Sequence, residues 1–483
     1  MIGKQGISET GIRSSASGPE AISVCPTCEN WNAGGEARCV ECGQSLVGVF
    51  VVSEERAREM GRRRRLVRRR NRVIVWGLAA SIVAVLAALA GLGYMSASRT
   101  LDPPTSSITA TPSLNDWPMY QRDPAHAAVV DGDVALPRGV LKWRFETAEP
   151  VLSSPAVLDG LLYLGTGDRR IIAVDAGTGE LVWEHTVNGP VDSSPAVAGD
   201  LVYVGLRDGR LLALGAANGE LRWEFQTEAS IFSSPTVHRG DLYVASSNGA
   251  LHALDAVTGL ERWRFETDGR LISSPAAYEQ SVAITSHDRY LYILDSSTGR
   301  PALKFKTASA AGSPVFDGDF LFLADATGVI RSIDWRKHNR RFDRLILRTK
   351  IQMAAWGLTD VIPHQAGYVW GMGTSESSFI GAPVVAKEIV YVASTTGRLL
   401  ALDKATGETI WEYDTAGSIS GSPSVAGETI YIGDSLGRLY ALDALSGEPL
   451  WEFPADGAIS STPVIAGGVI YFSSMDGGIY AVE

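Results

Sequence analysis

Beyond residue 42 the sequence has no cysteine. Its four, Cys25, Cys28, Cys39 and Cys42, lie within 18 residues, and the remaining 441 carry no thiol, which excludes a disulfide framework for the large part of the chain. Long apolar runs are equally scarce: one uncharged stretch, 73–95, stands alone. The seven histidines, at 126, 185, 238, 252, 287, 338 and 364, show no metal-ligand spacing and read as loop or strand-face residues. No phosphate loop is visible either. The Gly-rich phrases "GTGDRR" and "GMGTSES" sit between strands, without the helix whose N-terminus would receive a phosphate. Nor is the charge uniform. Residues 1–72 carry 13 Lys+Arg against 8 Asp+Glu, while the rest carries 30 against 46, so the two ends meet different surroundings.

What is present begins with "CPTCENWNAGGEARCVECGQSL", a C-x2-C-x10-C-x2-C pattern. Two such knuckles turn four thiolates toward one point, the tetrahedral cage that zinc prefers, and a piece this short needs the metal to fold. Two disulfides or four free thiols are the bland alternative. The segment resembles the zinc ribbons at the N-termini of many bacterial membrane proteins, which implies structural Zn2+ on Cys25, Cys28, Cys39 and Cys42. After a disordered start (1–20) and this ribbon (21–50) comes a basic juxtamembrane segment, 51–72, with "GRRRRLVRRRNR". The run 73–95 follows. As a helix it is ~34 Å long, enough for a hydrocarbon core of about 30 Å. Arginines directly before it place the N-terminus in the cytoplasm and the rest outside, across the cytoplasmic membrane in a single pass. That block has no interleaved aromatics and is explained as a topology signal, so no nucleic-acid partner is expected. Residues 96–115, rich in Ser, Thr and Pro, read as a flexible linker.

From there the chain repeats. The prolines of "SSPAV" and its variants fall at 155, 195, 235, 275, 314, 383, 423 and 463, at spacings of 40, 40, 40, 39, 69, 40 and 40. A period near 40 with four short strand patterns per unit predicts propeller blades. The outer-strand tryptophan position recurs eight times, filled by Trp143, Trp183, Trp223, Trp263, Trp370, Trp411 and Trp451, with Leu303 in its place once. The last unit ends before its fourth strand, and "LKWRFET" near residue 141 is a strand without a unit. An eight-bladed ring in which that first strand completes the last blade accounts for both. The spacing of 69 reflects an insertion, 335–367, between the third and fourth strands of blade five.

Each unit carries a phrase such as "AVDAGTGELVW" at 173–183. Gly179 suits a turn with φ > 0, Asp175 and Thr178 can bond nearby backbone, Trp183 offers an apolar face, and Ala173 is read as leaving room for that face in the neighbouring blade. Drift occurs at single units: Gly215 for the Asp, Leu303 for the Trp, Ile293 for the Ala. Together with the lead-in "DWPMYQRDPAHAA", these phrases make residues 116–483 resemble the PQQ-like propeller repeat family, and within it the BamB-type outer-membrane protein assembly factors. The fold class expected is therefore all-β, an eight-bladed β-propeller of PQQ-like repeats preceded by a zinc ribbon and one transmembrane helix. The resemblance implies that the phrase is a blade-to-blade lock.

Quinone enzymes of that family use adjacent cysteines over the cofactor, a calcium site and a catalytic Asp. This propeller has no cysteine, and Asp168, Asp208, Asp288, Asp325 and Asp434 read as turn formers. No catalytic residue and no bound PQQ are expected. The leading expectation is a non-catalytic extracytoplasmic scaffold for an envelope or membrane protein, in a role such as envelope assembly. A ligand sensor binding at the propeller mouth and reporting through the ribbon is the alternative, and a quinone-dependent dehydrogenase is the third. The insertion is basic on an acidic propeller. It reads either as a solvated extra hairpin or as a docking element for an acidic partner or anionic lipid, with Arg336, Lys337, Arg340, Arg341, Arg344 and Arg348 as contacts.

Overall fold

Eight sheets of four antiparallel strands, the seventh extended by the parallel strand Val129–Val130, follow one another along the chain and close into a ring. The computed structural model describes residues 112–483 apart from 133–134, 310–311, 340–342, 357–363 and 375–377, with 104–106 and 108, and in the N-terminal part 21–24, 31–33, 37–39, 45–46, 51–53 and 81. Blade one shows the plan, running outward from the channel through Ala156–Leu158, Leu161–Gly165, Arg170–Asp175 and Leu181–Thr186. The two middle strands are almost wholly buried, so they read as continuous apolar runs. The outer strand has one face in solvent and alternates. Leu158 and Leu161 pair across a two-residue turn in which Asp159 and Gly160 both have positive φ (52° and 78°), the turn geometry that matches the twist of the strands it joins.

The repeated phrase is the joint between blades. In blade one Asp175 Oδ1 accepts the N–H groups of Gly177 and Thr178 and so folds the turn that brings Gly179 to φ +78°. The preceding blade's outer tryptophan lies flat on that glycine: a Cβ there would meet the Trp143 ring at 2.7 Å. Trp143 Nε1 and Tyr471 Oη both donate to Ala176 O at 3.0 Å, so one carbonyl of the phrase receives two bonds from the neighbouring blade. The arrangement recurs with Trp183 and Tyr163 on Ala216 O, and with Trp411 and Tyr391 on Ala444 O. Seven glycines (139, 179, 219, 259, 299, 407 and 447) lie under a tryptophan so closely that a Cβ would come within 2.5–2.9 Å of it. Ala173 has another role than the one expected of it. It is Trp183's cross-strand partner in the same blade, and the residue that leaves room in the neighbouring blade is Gly219.

The joint from blade four to blade five lacks the tryptophan, and the insertion compensates. Leu303 reaches only to 3.2 Å from a Cβ on Gly367. Asn339 donates its N–H to Ala302 O (3.1 Å) and accepts from Lys304 N (2.6 Å). Gln365 brackets the backbone of Lys306, with bonds of 2.9 and 2.7 Å. Both ends of the insertion thus pair with the free edge of blade four's outer strand, Pro301–Lys306. Between them lies a helix, Asp343–Ala355, rather than the extra hairpin that was the bland expectation.

Ring closure uses the start of the propeller. Leu141–Glu146 pairs antiparallel with Gly478–Val482 as the outer strand of blade eight, as the orphan-strand argument requires. Upstream, Gly139 and Pro137 O take the places of turn glycine and carbonyl under Trp451 of blade seven. Before them the lead-in crosses the channel. Trp117 pairs with Val157 of blade one, Pro118 O accepts from Val197 of blade two, Pro124 O from Ala277 of blade four, Ala125 O from Phe316 of blade five and Ala128 O from Val425 of blade seven. Further upstream, the segment assigned to a flexible linker by composition is held at two points: Thr105 donates twice to the Asp255 carboxylate, and Ile108 O accepts from Gly240 N at 2.7 Å.

Residues 1–100 form a separate unit with a three-stranded sheet, in the order Trp31–Ala33, Ala21–Val24, Val51–Ser53. Cys39 is buried there beside Leu46, and its sulfur accepts a hydrogen bond from Asn32 Nδ2 at 3.6 Å. Cys25, Cys28, Cys42 and the expected span 73–95, Ser81 excepted, lie outside the described residues. Among the described residues no helix is long and apolar enough to cross a membrane, and no three His, Cys, Asp or Glu gather as a metal site.

Two substitutions separate steric docking from backbone strain. Gly219→Ala places a methyl 2.5 Å from the Trp183 ring at φ +67° and is expected to lower unfolding free energy by roughly 2–4 kcal/mol. Gly160→Ala, at φ +78° with open space around it, should cost only about 1 kcal/mol. Denaturant titration of both variants measures the difference. Removing the edge clamp by Asn339→Ala with Gln365→Ala should cost about 2 kcal/mol in the same titration, whereas Arg348→Ala in the same insertion should leave it unchanged.

Candidate functional site

The channel mouth is built by the two residues that precede each marker proline, both of them hydroxyl residues in blades one to four and eight. The first fixes the motif within its blade: Ser153 Oγ donates to Gly165 O at 2.7 Å, and Ser193, Ser233, Ser273 and Ser461 repeat the bond at the equivalent carbonyl. The second links blades. Ser154 N donates to Ser194 Oγ, Ser194 N to Ser234 Oγ, Ser234 N to Ser274 Oγ and Ser274 N to Ser313 Oγ, all at 2.9–3.0 Å. Ala382 N donates to Ser422 Oγ, and Thr462 N returns to Ser154 Oγ. Six of the eight joints carry this bond, and blade six breaks the belt because Ala382 has no hydroxyl. The six serine oxygens of the belt each accept from the neighbouring blade, which leaves their O–H groups as donors toward the channel.

The belt encloses a blind cavity of about 460 Å³. Its floor is the lead-in: Tyr120 Oη lies 3.4 Å from Ser422 Oγ, and its ring meets His126 edge-on at 5.3 Å. His126 is fully buried at φ +67°, its Nδ1 2.9 Å from Pro314 O. Burial pushes its pKa down to about 4, so the imidazole is neutral at ordinary pH and donates from Nδ1 to that carbonyl. Above the belt the rim carries four large apolar side chains, with Ser420 and Ser460 at the same position in blades seven and eight. Leu152, Phe232, Ile272 and Ile380, each two residues before the belt position of its blade, are 41, 40, 47 and 59% exposed. Blade two places Asp192 at the equivalent point. It pairs with Arg207, whose guanidinium also lies 6.0 Å from the Phe232 ring centroid and is held protonated above its ordinary range by the Asp192 bond.

The acids singled out in the sequence shape turns. Asp208 accepts from Arg210 N, Asp288 from Tyr290 N, Asp325 from Thr327 N and Asp434 from Leu436 and Arg438 N, while Asp168 holds Thr166 and Arg170. Of the six basic residues of the insertion, Arg336, Lys337 and Arg348 have described surroundings. Arg336 is paired with Glu279 and Asp319, and Lys337 with Asp334, all acids of the propeller itself. Arg340 and Arg341 lie outside the described residues. Arg344 and Arg348 stand on the helix, with Arg348 exposed. The hydroxyl belt and the apolar collar were missed by sequence reasoning, although the repeated Ser-Ser-Pro and the large residue before it were the visible signal.

Three overlapping stretches, 127–236, 229–364 and 357–483, match the family described as outer membrane protein assembly factor BamB. The chain belongs to this family. Similar solved structures include BamB from Moraxella catarrhalis (TM-score 0.57, 18% identity, 71% of this chain and 99% of that one). The quinohemoprotein alcohol dehydrogenase of Comamonas testosteroni is also similar (TM-score 0.61, 16% identity, 76% and 80%). So is the computationally designed Ika8 protein (TM-score 0.60, 14% identity, 72% and 99%). At these identities the likeness is one of fold. Among curated proteins none matches.

The neutral, buried His126 gives a pH signature. Its pKa lies below the unfolded value of 6.5, so the unfolded state binds the extra proton and stability falls as pH drops from 6.5 toward 4. His126→Asn, which tolerates the left-handed backbone, should flatten that fall by roughly 3 kcal/mol over the same window. Denaturant midpoints at pH 7 and pH 4 for both proteins measure it.

Proposed function

We propose that this protein is a membrane-anchored, extracytoplasmic propeller that acts as a non-catalytic scaffold and receives a partner protein at its channel mouth. The observation that carries this reading is the collar of Leu152, Phe232, Ile272 and Ile380 around the cavity. Large apolar side chains held in solvent around a concave site, on a rigid ring, are what a protein interface needs: a desolvating rim and anchor points that lose little entropy on binding. The hydroxyl belt suits backbone carbonyls of an inserted loop. Family membership supports a place in envelope protein assembly. The span 73–95 supplies the anchor, and a zinc ribbon on Cys25, Cys28, Cys39 and Cys42 occupies the cytoplasmic end.

A second reading, a small-ligand sensor, draws support from the belt's unspent O–H donors. The dehydrogenase reading is the weakest of the three, since the propeller supplies no cysteine pair for a quinone.

Photo-crosslinking separates the first two readings. A benzophenone side chain at Ile380, Phe232 or Ile272 of the membrane-bound chain should capture the same protein. The same group at Leu260, a residue 69% exposed on a third-to-fourth-strand turn, should not. Capture from Leu260 alone, or from none of the four, removes the mouth-docking reading. A small molecule that shifts the thermal midpoint of the chain would then favour the sensor.

A further inference from the structure

The insertion helix Asp343–Ala355 carries a second apolar surface that the propeller does not use. Its inner side faces the outer strands of blades four and five, where Leu347 lies with Phe305 and Tyr368 around a shallow groove. On another side Ile346, Thr349, Met353 and, just past the helix end, Trp356 follow one another at intervals of three and four residues and form one stripe. Ile346, Met353 and Trp356 are 48, 40 and 68% exposed. Lys350 and Arg348 flank the stripe, both exposed and with no ion pair among the described residues. The charge setting is unusual for this chain: the insertion has seven Lys+Arg against two Asp, while residues 73–483 as a whole are strongly acidic.

We infer that this stripe docks on an anionic lipid surface. Isoleucine, methionine and an exposed tryptophan on one side of a helix, bordered by cations, match the physics of a helix lying in a headgroup layer. Each cation near such a surface adds attraction that the acidic body of the propeller does not provide. A protein partner fits less well. Three large side chains on one short helix cover far less than the roughly 1,000 Å² that a stable protein interface buries. A weak lipid contact suffices once the chain is already tethered, because the second contact is then intramolecular. The inference rests on the membrane-anchor reading of 73–95 and adds to it a second, peripheral contact.

The test uses the full chain in nanodiscs of phosphatidylcholine alone or with phosphatidylglycerol, read by hydrogen–deuterium exchange of the peptide covering 343–356. Exchange there should slow roughly tenfold only with the anionic lipid. The protection should disappear in high salt and in Ile346→Asp with Trp356→Ala, while blade peptides remain unchanged. Equal exchange in both lipids overturns the proposal. So does protection that grows with protein concentration in lipid-free detergent, which would show that a second copy covers the stripe. Retention on neutral discs reports the span separately. If the chain is not retained there, the span reading fails, and the lipid contact still stands or falls on whether anionic discs bind the chain.

Discussion

A tryptophan ring lying on a bare glycine holds this ring of blades together. The contact imposes two conditions at once. The turn must pass through a left-handed backbone, and it must carry no side chain, because the indole occupies the volume where a Cβ would stand. Glycine alone meets both. The indole N–H and a tyrosine hydroxyl then converge on a carbonyl in the same turn, which fixes the angle between neighbouring blades as well as their distance. Repeated around the ring, a fixed angle decides how many blades close it. The phrase that looks most like a binding motif is therefore spent on geometry.

Where the joint is degraded, other elements carry its work. Leu303 is too small to cover the next turn, and Asn339 and Gln365 satisfy the exposed edge of its strand instead. The break between the chain's two ends is handled likewise: Gly139 and Pro137, upstream of the first strand, imitate a turn that the chain never makes in one piece. The insertion has two sides with separate roles. Its ends stabilise blade four, with Arg336 and Lys337 neutralised against propeller acids, and its helix keeps an apolar stripe in solvent.

Much of this was legible in the sequence because it repeats. Eight marker prolines and seven tryptophans with Leu303 in register fix the number of blades, and a strand without a unit fixes the closure. What escaped notice depends on contacts between units. From one repeat, Ala173 and Gly219 are equally good at leaving room for Trp183, since a cross-strand neighbour and a cross-blade neighbour have the same signature of small size. Serines before a proline read as ordinary turn residues, and only the ring shows that the hydroxyl next to the proline accepts from the preceding blade's backbone. The lead-in around Tyr120 and His126 has no period at all, so its place across the channel could not be read from spacing. Among the basic residues of the insertion, Arg336 and Lys337 are paired with propeller acids while Arg348 stands exposed, and composition does not see that difference.

The closing strand has a consequence in time. Thr147 and Gly477 lie 330 residues apart and bond to each other. During synthesis the strand that ends the ring is the first part of the propeller to emerge, and its partner is the last. Blades one to seven can each form from local hairpins as they appear, but blade eight and the cover over Trp451 must wait for the final residues. Until then an unpaired strand and an open ring persist, in a chain whose biogenesis is vectorial. The architecture thus couples completion of the fold to synthesis of the strand Gly478–Val482, and a product cut before it lacks a whole joint of the ring.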